Sequence, residues 1–213
     1  MEKNAGSAGI FAKNNARKCC AGVAGMLQLS CTQKPASHDR QNGSKRCHGK
    51  GDFGMKVAMI GHKDFPSRSG GVEVMVGGLA VSLVRRGYEV TVYNRGLQKG
   101  HNVYTTEGVQ ARRIFTFQKA ALNAMVYSFL ATFDALIRNY DVIHYHAIGP
   151  SVPLVIAKLF GKHTVCTVHG LNWKVDKWGG FASAYLKLGE RVAAKYADDL
   201  VVLSETEWNY FLQ

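Results

Sequence analysis

MKVAMIGHKDFPSRSGGVEVMVGGLAVSLVRR, residues 55–86, decides the fold. Its first apolar run, 56–61 (KVAMIG), is short and has no polar alternation, as suits a strand covered on both faces of a sheet. The loop 62–71 carries the turn formers Pro66, Ser67 and Ser69. From Val72 the period changes. Val72, Val76, Leu79, Ala80 and Leu83 recur at helical spacing and predict one buried stripe. Arg85 and Arg86 suit the negative end of the helix dipole, and Gly87 suits the C′ position. EVTVY, 89–93, reads as a second strand. Strand, helix and strand within about forty residues predict a right-handed parallel crossover unit.

The loop also suggests chemistry. Gly70 and Gly71 have no Cβ, so a ligand can approach their backbone closely. The first amides of the helix that follows are unpaired and favour an anion. A tight glycine turn with no ligand reads equally well. Eight residues separate Gly61 from Gly70, so the spacing is not the dinucleotide fingerprint.

Further along, 103–106 and 110–115 read as extended segments around Glu107 and Gly108, a hairpin. Residues 119–139 read as a long helix that packs through Leu122, Val126, Phe129, Leu130, Phe133 and Ile137. DVIHY, 141–145, is another buried strand, and Pro153 suits the first turn of a helix running to Phe160. His144 and His146 share one face of their strand, at the carboxyl end where crevice ligands sit. Substrate contact, a purely structural role and a metal all remain open for them. The next strand, 163–168, contains Cys166 as a small buried residue and runs into His169 and Gly170. The loop 171–180 interleaves Trp173 and Trp178 with Lys174 and Lys177. That suits stacking on a sugar or an anion, and equally an anchored loop. Residues 181–196 read as a helix packing through Ala184, Leu188, Val192 and Ala193. DLVVL, 199–203, is a strand, and Ser204 with Glu207 predicts a capping box.

Composition bounds the partners. The 213 residues are 46% hydrophobic and carry a net charge of +12, which favours anionic partners without choosing among them. Residues 1–54 hold nine Lys and Arg against three acids, and four of the five cysteines. They show no sustained period and read as a disordered or non-native extension to a fold spanning 55–213. A secretory signal is disfavoured by the short, glycine-broken apolar patch, and a zinc site by the absence of Cys-x-x-Cys spacing.

With these residues in view, the chain resembles family 4-type retaining glycosyltransferases of the GT-B fold. The likeness lies in KVAMIGHKDFPSRSGGVEVMVGGLAVSLVRRGYEVTVYNR, then DVIHYHAIGPS, TVHGLNWKVDKWG and DLVVLSE, ordered along 55–213. HGLNWKVDKW is similar to the branch that includes bacterial rhamnosyltransferases. The resemblance implies an α/β, Rossmann-like doubly wound parallel sheet, the N-terminal, acceptor-side half of a GT-B enzyme. It implies a nucleotide-sugar as co-substrate, no other cofactor and no metal. The acceptor would be a saccharide or lipid-linked, in polysaccharide biosynthesis, and the location cytoplasmic, compatible with the inner face of the membrane. By position, Gly70 and Gly71 match the donor-diphosphate loop and His169 the catalytic histidine facing the donor sugar. His146, Trp173, Lys174 and Glu205 match cleft or acceptor positions.

No donor-binding half follows within the 213 residues. The expectation is a chain inactive alone, either truncated or completed by a second polypeptide. Two other readings stand beside it. One is a non-catalytic nucleotide- or phosphate-binding module, disfavoured because Tyr93, Asn94 and Arg95 offer no ribose-binding acid. The other is a protein that binds membrane surfaces or nucleic acid. Its basic residues are scattered, which argues against nucleic acid.

Overall fold

The computed structural model describes residues 11–14, 54–96, 103–117, 120–170 and 180–212. Along the chain these form β1 (Phe11–Asn14), β2 (Lys56–Ile60), α1 (Gly71–Val84), β3 (Glu89–Gly96), β4 (Val103–Thr106), β5 (Val109–Phe115) and α2 (Ala120–Ile137). Then follow β6 (Val142–His146), α3 (Leu154–Leu159), β7 (His163–Val168), α4 (Gly180–Tyr196), β8 (Asp199–Val202) and α5 (Glu205–Leu212).

The strands make one sheet in the order β1-β8-β7-β6-β2-β3-β5-β4. The six inner strands, β8 to β5, are parallel, and the two edge strands run antiparallel to their neighbours. The fold is the expected α/β Rossmann-like sheet. Alternation along each strand separates two cores. Val57, Met59, Val142, Val165 and Val201 face one side, with Val76, Leu79, Ala80 and Leu83 of α1. Ala58, Ile60, Ile143, Tyr145, Cys166 and Leu200 face the other, beneath α2, α3 and α4. Each buried Val or Leu of α1 contributes roughly 1.5–3 kcal/mol, so this stripe holds the helix on the sheet.

Local chemistry closes the elements as read. Tyr88 N–H donates to the Leu83 carbonyl (3.2 Å) and Gly87 N–H to that of Val84 (2.9 Å), with Gly87 at φ 91°, so α1 ends in a Schellman motif. Glu107 (φ 53°) and Gly108 (φ 78°) make the two-residue turn of the β4–β5 hairpin. Ser204 Oγ accepts from Glu207 N–H (3.2 Å), while the Glu207 carboxylate accepts from Leu203 N–H (3.1 Å), closing the cap of α5.

Within the stretch 1–54, expected to be a disordered or non-native extension, Phe11–Asn14 pair antiparallel with β8. Edge pairing runs through backbone groups and needs no periodic side-chain signal. In α2 the predicted packing face is the outer one: Leu122, Leu130, Phe133 and Ile137 are exposed. Tyr127, Ser128, Ala131, Thr132 and Ala135 face the sheet instead. The small side chains of Ser128, Ala131, Thr132 and Ala135 let the helix approach closely, and Thr132 Oγ1 meets Tyr145 Oη at 3.0 Å. In α4, Ala184 and Leu188 of the predicted stripe are exposed, while Gly189 is buried with Val192 and Ala193. A Cβ on Gly189 would stand 1.9 Å from the Ile148 carbonyl oxygen, so only glycine allows this contact.

Candidate functional site at the carboxyl edge

The parallel strands direct their carboxyl ends to one edge, where ligands of such sheets bind. His146 ends β6, and His169 follows the last residue of β7. Alternation puts His144, His146, Thr167 and His169 on the α1 face, because Ile143, Tyr145, Cys166 and Val168 occupy the other. His146 Nδ1 lies 3.5 Å from His169 Nε2. The His144 and His146 rings lie 4.1 Å apart, and His144 Nε2 reaches Thr167 Oγ1 at 2.8 Å.

β2 delivers the other wall. A Cβ on Gly61, at φ 129°, would stand 2.1 Å from the His146 carbonyl oxygen, so β2 and β6 come this close only through glycine. Gly61 N–H donates to Tyr127 Oη (3.1 Å), and its carbonyl accepts from Arg95 Nη2 (3.0 Å). The Arg95 guanidinium lies over the Tyr127 ring, 5.3 Å from its centre. His62 Nε2 is 2.8 Å from Asn94 Oδ1. Asn94 Nδ2 donates to the Phe65 carbonyl (2.9 Å), so Oδ1 is the acceptor and His62 carries its proton on Nε2. His62 Nδ1 is left buried without a partner, as is His146 Nε2.

Burial sets the charge states. It lowers His62 to about 4 and His144 to about 3, against an ordinary 6.5. It holds His146 well below 6.5, with the neighbouring histidines adding repulsion. Burial lowers His169 too, opposed by the Glu73 carboxylate. At neutral pH the cluster is therefore uncharged and offers both ring donors and ring lone pairs. Among the described residues no group of three or more His, Cys, Asp or Glu is placed to hold a metal ion.

Gly70 is the N-cap of α1 with no side-chain cap, and a Cβ on Gly71 would meet nothing within 4 Å. That leaves the approach to Gly71 open, as an incoming ligand would require. The Glu73 side chain, 7% exposed, sits at the same helix start. One carboxylate oxygen accepts from Lys63 N–H (3.3 Å), and the other lies 2.5 Å from where a Gly70 Cβ would be. The chain thus supplies its own anion beside Gly70.

Glu205 is the exposed first residue of α5, just after β8. Trp173 and Lys174 lie outside the described residues. Sequence reading passed over His62, Glu73, Asn94, Arg95 and Tyr127. Glu73 had a usable signal, a carboxylate within the first turn and next to the buried stripe. A separate cavity of about 620 Å³ opens among Lys56, Glu89, Thr91, Gln110, Arg138 and Tyr140, at the amino ends of β2 and β3 and away from the histidines.

The family model described as Glycosyltransferase Family 4 matches residues 69–213, which include α1, His146, His169 and α5. The chain belongs to glycosyltransferase family 4. Among solved structures it is similar to sucrose-phosphate synthase from Thermosynechococcus elongatus, with 16% identity and a TM-score of 0.57. That match covers 68% of this chain and 41% of the synthase chain. A shorter form of the same synthase matches at 14% identity and a TM-score of 0.52, covering 74% of this chain and 80% of that one. At these identities the likeness speaks for the fold, that of a GT-B glycosyltransferase. This chain spans about two fifths of the length of the first synthase structure. No curated protein matches the sequence. No helix among the described residues is long and apolar enough to cross a membrane.

Proposed function

We propose that this chain is the acceptor-side part of a retaining glycosyltransferase that moves a sugar from a nucleotide-sugar to a saccharide or lipid-linked acceptor in polysaccharide assembly. The observation that carries this reading is the neutral pair His146 and His169 at the carboxyl edge, with His146 Nε2 unpartnered. A sugar hydroxyl both donates and accepts, and a neutral imidazole pair can answer both needs without a buried charge. His169 faces the donor sugar near the reacting carbon. His146 and Glu205, and by family position Trp173 and Lys174, are cleft or acceptor contacts.

In transfer, the bond from the sugar carbon to the diphosphate oxygen breaks and an acceptor oxygen bonds to that carbon. The acceptor proton leaves with the diphosphate. Charge grows on the phosphate oxygens, and the amides at Gly70, Gly71 and the start of α1 are suited to stabilise it. Glu73 stands beside that position, so the diphosphate approaches from the open Gly71 side. Donor binding also needs residues beyond this sheet, in keeping with the partial coverage of the synthase, and the 213 residues alone do not turn over.

The test supplies the purified chain with a panel of nucleotide-sugars and oligosaccharides. Expected are no transfer and saccharide-induced shifts of the His146 and His169 ring signals. Turnover by the chain alone would sink the acceptor-side reading. Tight binding of free nucleotide, with no response to saccharides, would favour a phosphate-binding module instead.

A further inference from the structure

Phe115 and Phe117 form an exposed pair of rings at the edge that carries the histidines. Phe115 ends β5 and is 66% exposed; Phe117, two residues on, is 49% exposed. Their rings meet edge to face, with centres 5.4 Å apart. The backbone beneath them is pinned to α2. Thr116 Oγ1 donates to the Asn123 carbonyl (2.7 Å), and Asn123 Nδ2 donates to the Phe117 carbonyl (2.8 Å). Paired rings on a fixed backbone, at a ligand-binding edge, suit a contact completed on binding.

Strand register relates this pair to the histidines. Val109 and Ala111 face α1 and Ile114 packs on the other core, so Arg113 and Phe115 share the α1 face with His146. β5 is the third strand from β6, about 14 Å along the edge. Through the pairs Tyr145–Ile60, Met59–Val92 and Asn94–Arg113, His146 stands level with Arg113. Phe115 therefore lies two residues, about 7 Å, further out. Side chains bridge the interval. His62 bonds Asn94 (2.8 Å), Asn94 Nδ2 donates to Tyr104 Oη (2.8 Å), and the Arg113 guanidinium lies over the Tyr104 ring, 5.5 Å from its centre. On β3 the partner of Phe115 is Gly96, which puts no side chain against the ring. A ring that only covered this glycine would itself be buried.

We propose that Phe115 and Phe117 form an outer acceptor subsite. An uncharged ring further along an oligosaccharide packs there while the reacting sugar lies at His146 and His169. This rests on the acceptor-side reading and narrows it: the acceptor is an oligosaccharide rather than a single sugar. The C–H face of a pyranose packs on an aromatic face, and Arg113 offers donors to its hydroxyls. The polar Arg113 and Tyr104 beside the rings suit a hydroxylated ligand better than a hydrocarbon chain. One sugar ring does not span the interval from His146, so affinity rises with acceptor length.

The test is calorimetric titration of the full chain with methyl mannoside and methyl glucoside against mannotetraose and maltotetraose. Histidine and phenylalanine ring signals are followed by NMR in parallel. Two variants accompany it, with folding checked by circular dichroism. Phe115→Leu/Phe117→Leu keeps apolar bulk and loses the ring faces, and Phe115→Tyr/Phe117→Tyr keeps the ring faces. Expected is a tetrasaccharide affinity roughly tenfold above that of the methyl glycoside, lost in the leucine variant and kept in the tyrosine variant. Equal affinity at both lengths, with His146 and His169 signals responding, overturns the outer subsite and leaves the acceptor-side reading standing. A length preference that survives the leucine variant overturns the subsite as well. No response to any of the four sugars sinks the acceptor-side reading and this inference together.

Discussion

His146 Nδ1 and His169 Nε2 lie 3.5 Å apart across the ends of two neighbouring parallel strands, and burial disfavours a proton on either ring. Around them, His62 and His144 are neutral for the same reason. The histidines therefore make a polar but uncharged patch at the carboxyl edge, with Glu73 as a nearby anion and Arg95 as a nearby cation.

Acid should weaken the fold through these rings. His62 and His144 have folded values of about 4 and about 3, below the 6.5 of the unfolded chain. The unfolded state binds more protons below 6.5. Stability from these rings is thus complete above that pH and is lost as pH falls toward the folded values. The slope is at most about 1.4 kcal/mol per pH unit for each ring. Urea denaturation across this range measures it, and a midpoint that stays level down to pH 4 would contradict the burial.

Gly61 and Gly71 should respond in opposite ways to alanine. Gly61→Ala places a Cβ 2.1 Å from a backbone oxygen at a left-handed φ and is expected to cost roughly 2–5 kcal/mol. Gly71→Ala meets nothing within 4 Å, and its stability should stay within about 1 kcal/mol or rise slightly. On the proposed function, Gly71→Ala should still weaken nucleotide-sugar binding. Thermal melts and titrations separate the two effects, and unchanged donor affinity would remove Gly71 from the diphosphate path.

Glu73→Gln should lower the pKa of His169 further, because the carboxylate favours the protonated ring. Ring resonances followed by NMR against pH report the shift, and an unmoved His169 would exclude this coupling. Glu73→Ala also leaves the Lys63 amide without its acceptor. It should cost about 1–3 kcal/mol, whereas the glutamine variant keeps that bond.

Removing residues 1–54 takes away β1 and the four residue pairs it makes with β8. Among the described residues, the buried core runs from Val57 to Val202. The shortened chain should fold with a melting temperature lower by a few degrees, about 1 kcal/mol in stability, and should associate more readily through the bared β8 edge. A loss of cooperative unfolding would show instead that the segment belongs to the core.

Most of the sheet was legible because inner parallel strands must be apolar on both faces, as in 56–61 and 163–168. The hairpin at Glu107 and Gly108 and the α1 cap at Gly87 were legible because left-handed turns require particular residues. The orientation of α2 was not. Its larger apolar side chains marked the wrong face, since close approach to the sheet selects Ala131 and Ala135 rather than Phe133 and Leu130. In the site, His146 and His169 were legible as residues ending strands. His62, Arg95 and Tyr127 were not, because each reaches the site from a different element and carries no local pattern.

The sequence by itself determined the strand and helix order and the parallel sheet, since hydrophobic period and turn residues are local properties. Only the tertiary structure decided that the histidines share one neutral cluster, that Glu73 stands beside Gly70, and that an apolar helix face looks outward. Those facts depend on distances between residues far apart in the chain, which no local pattern encodes.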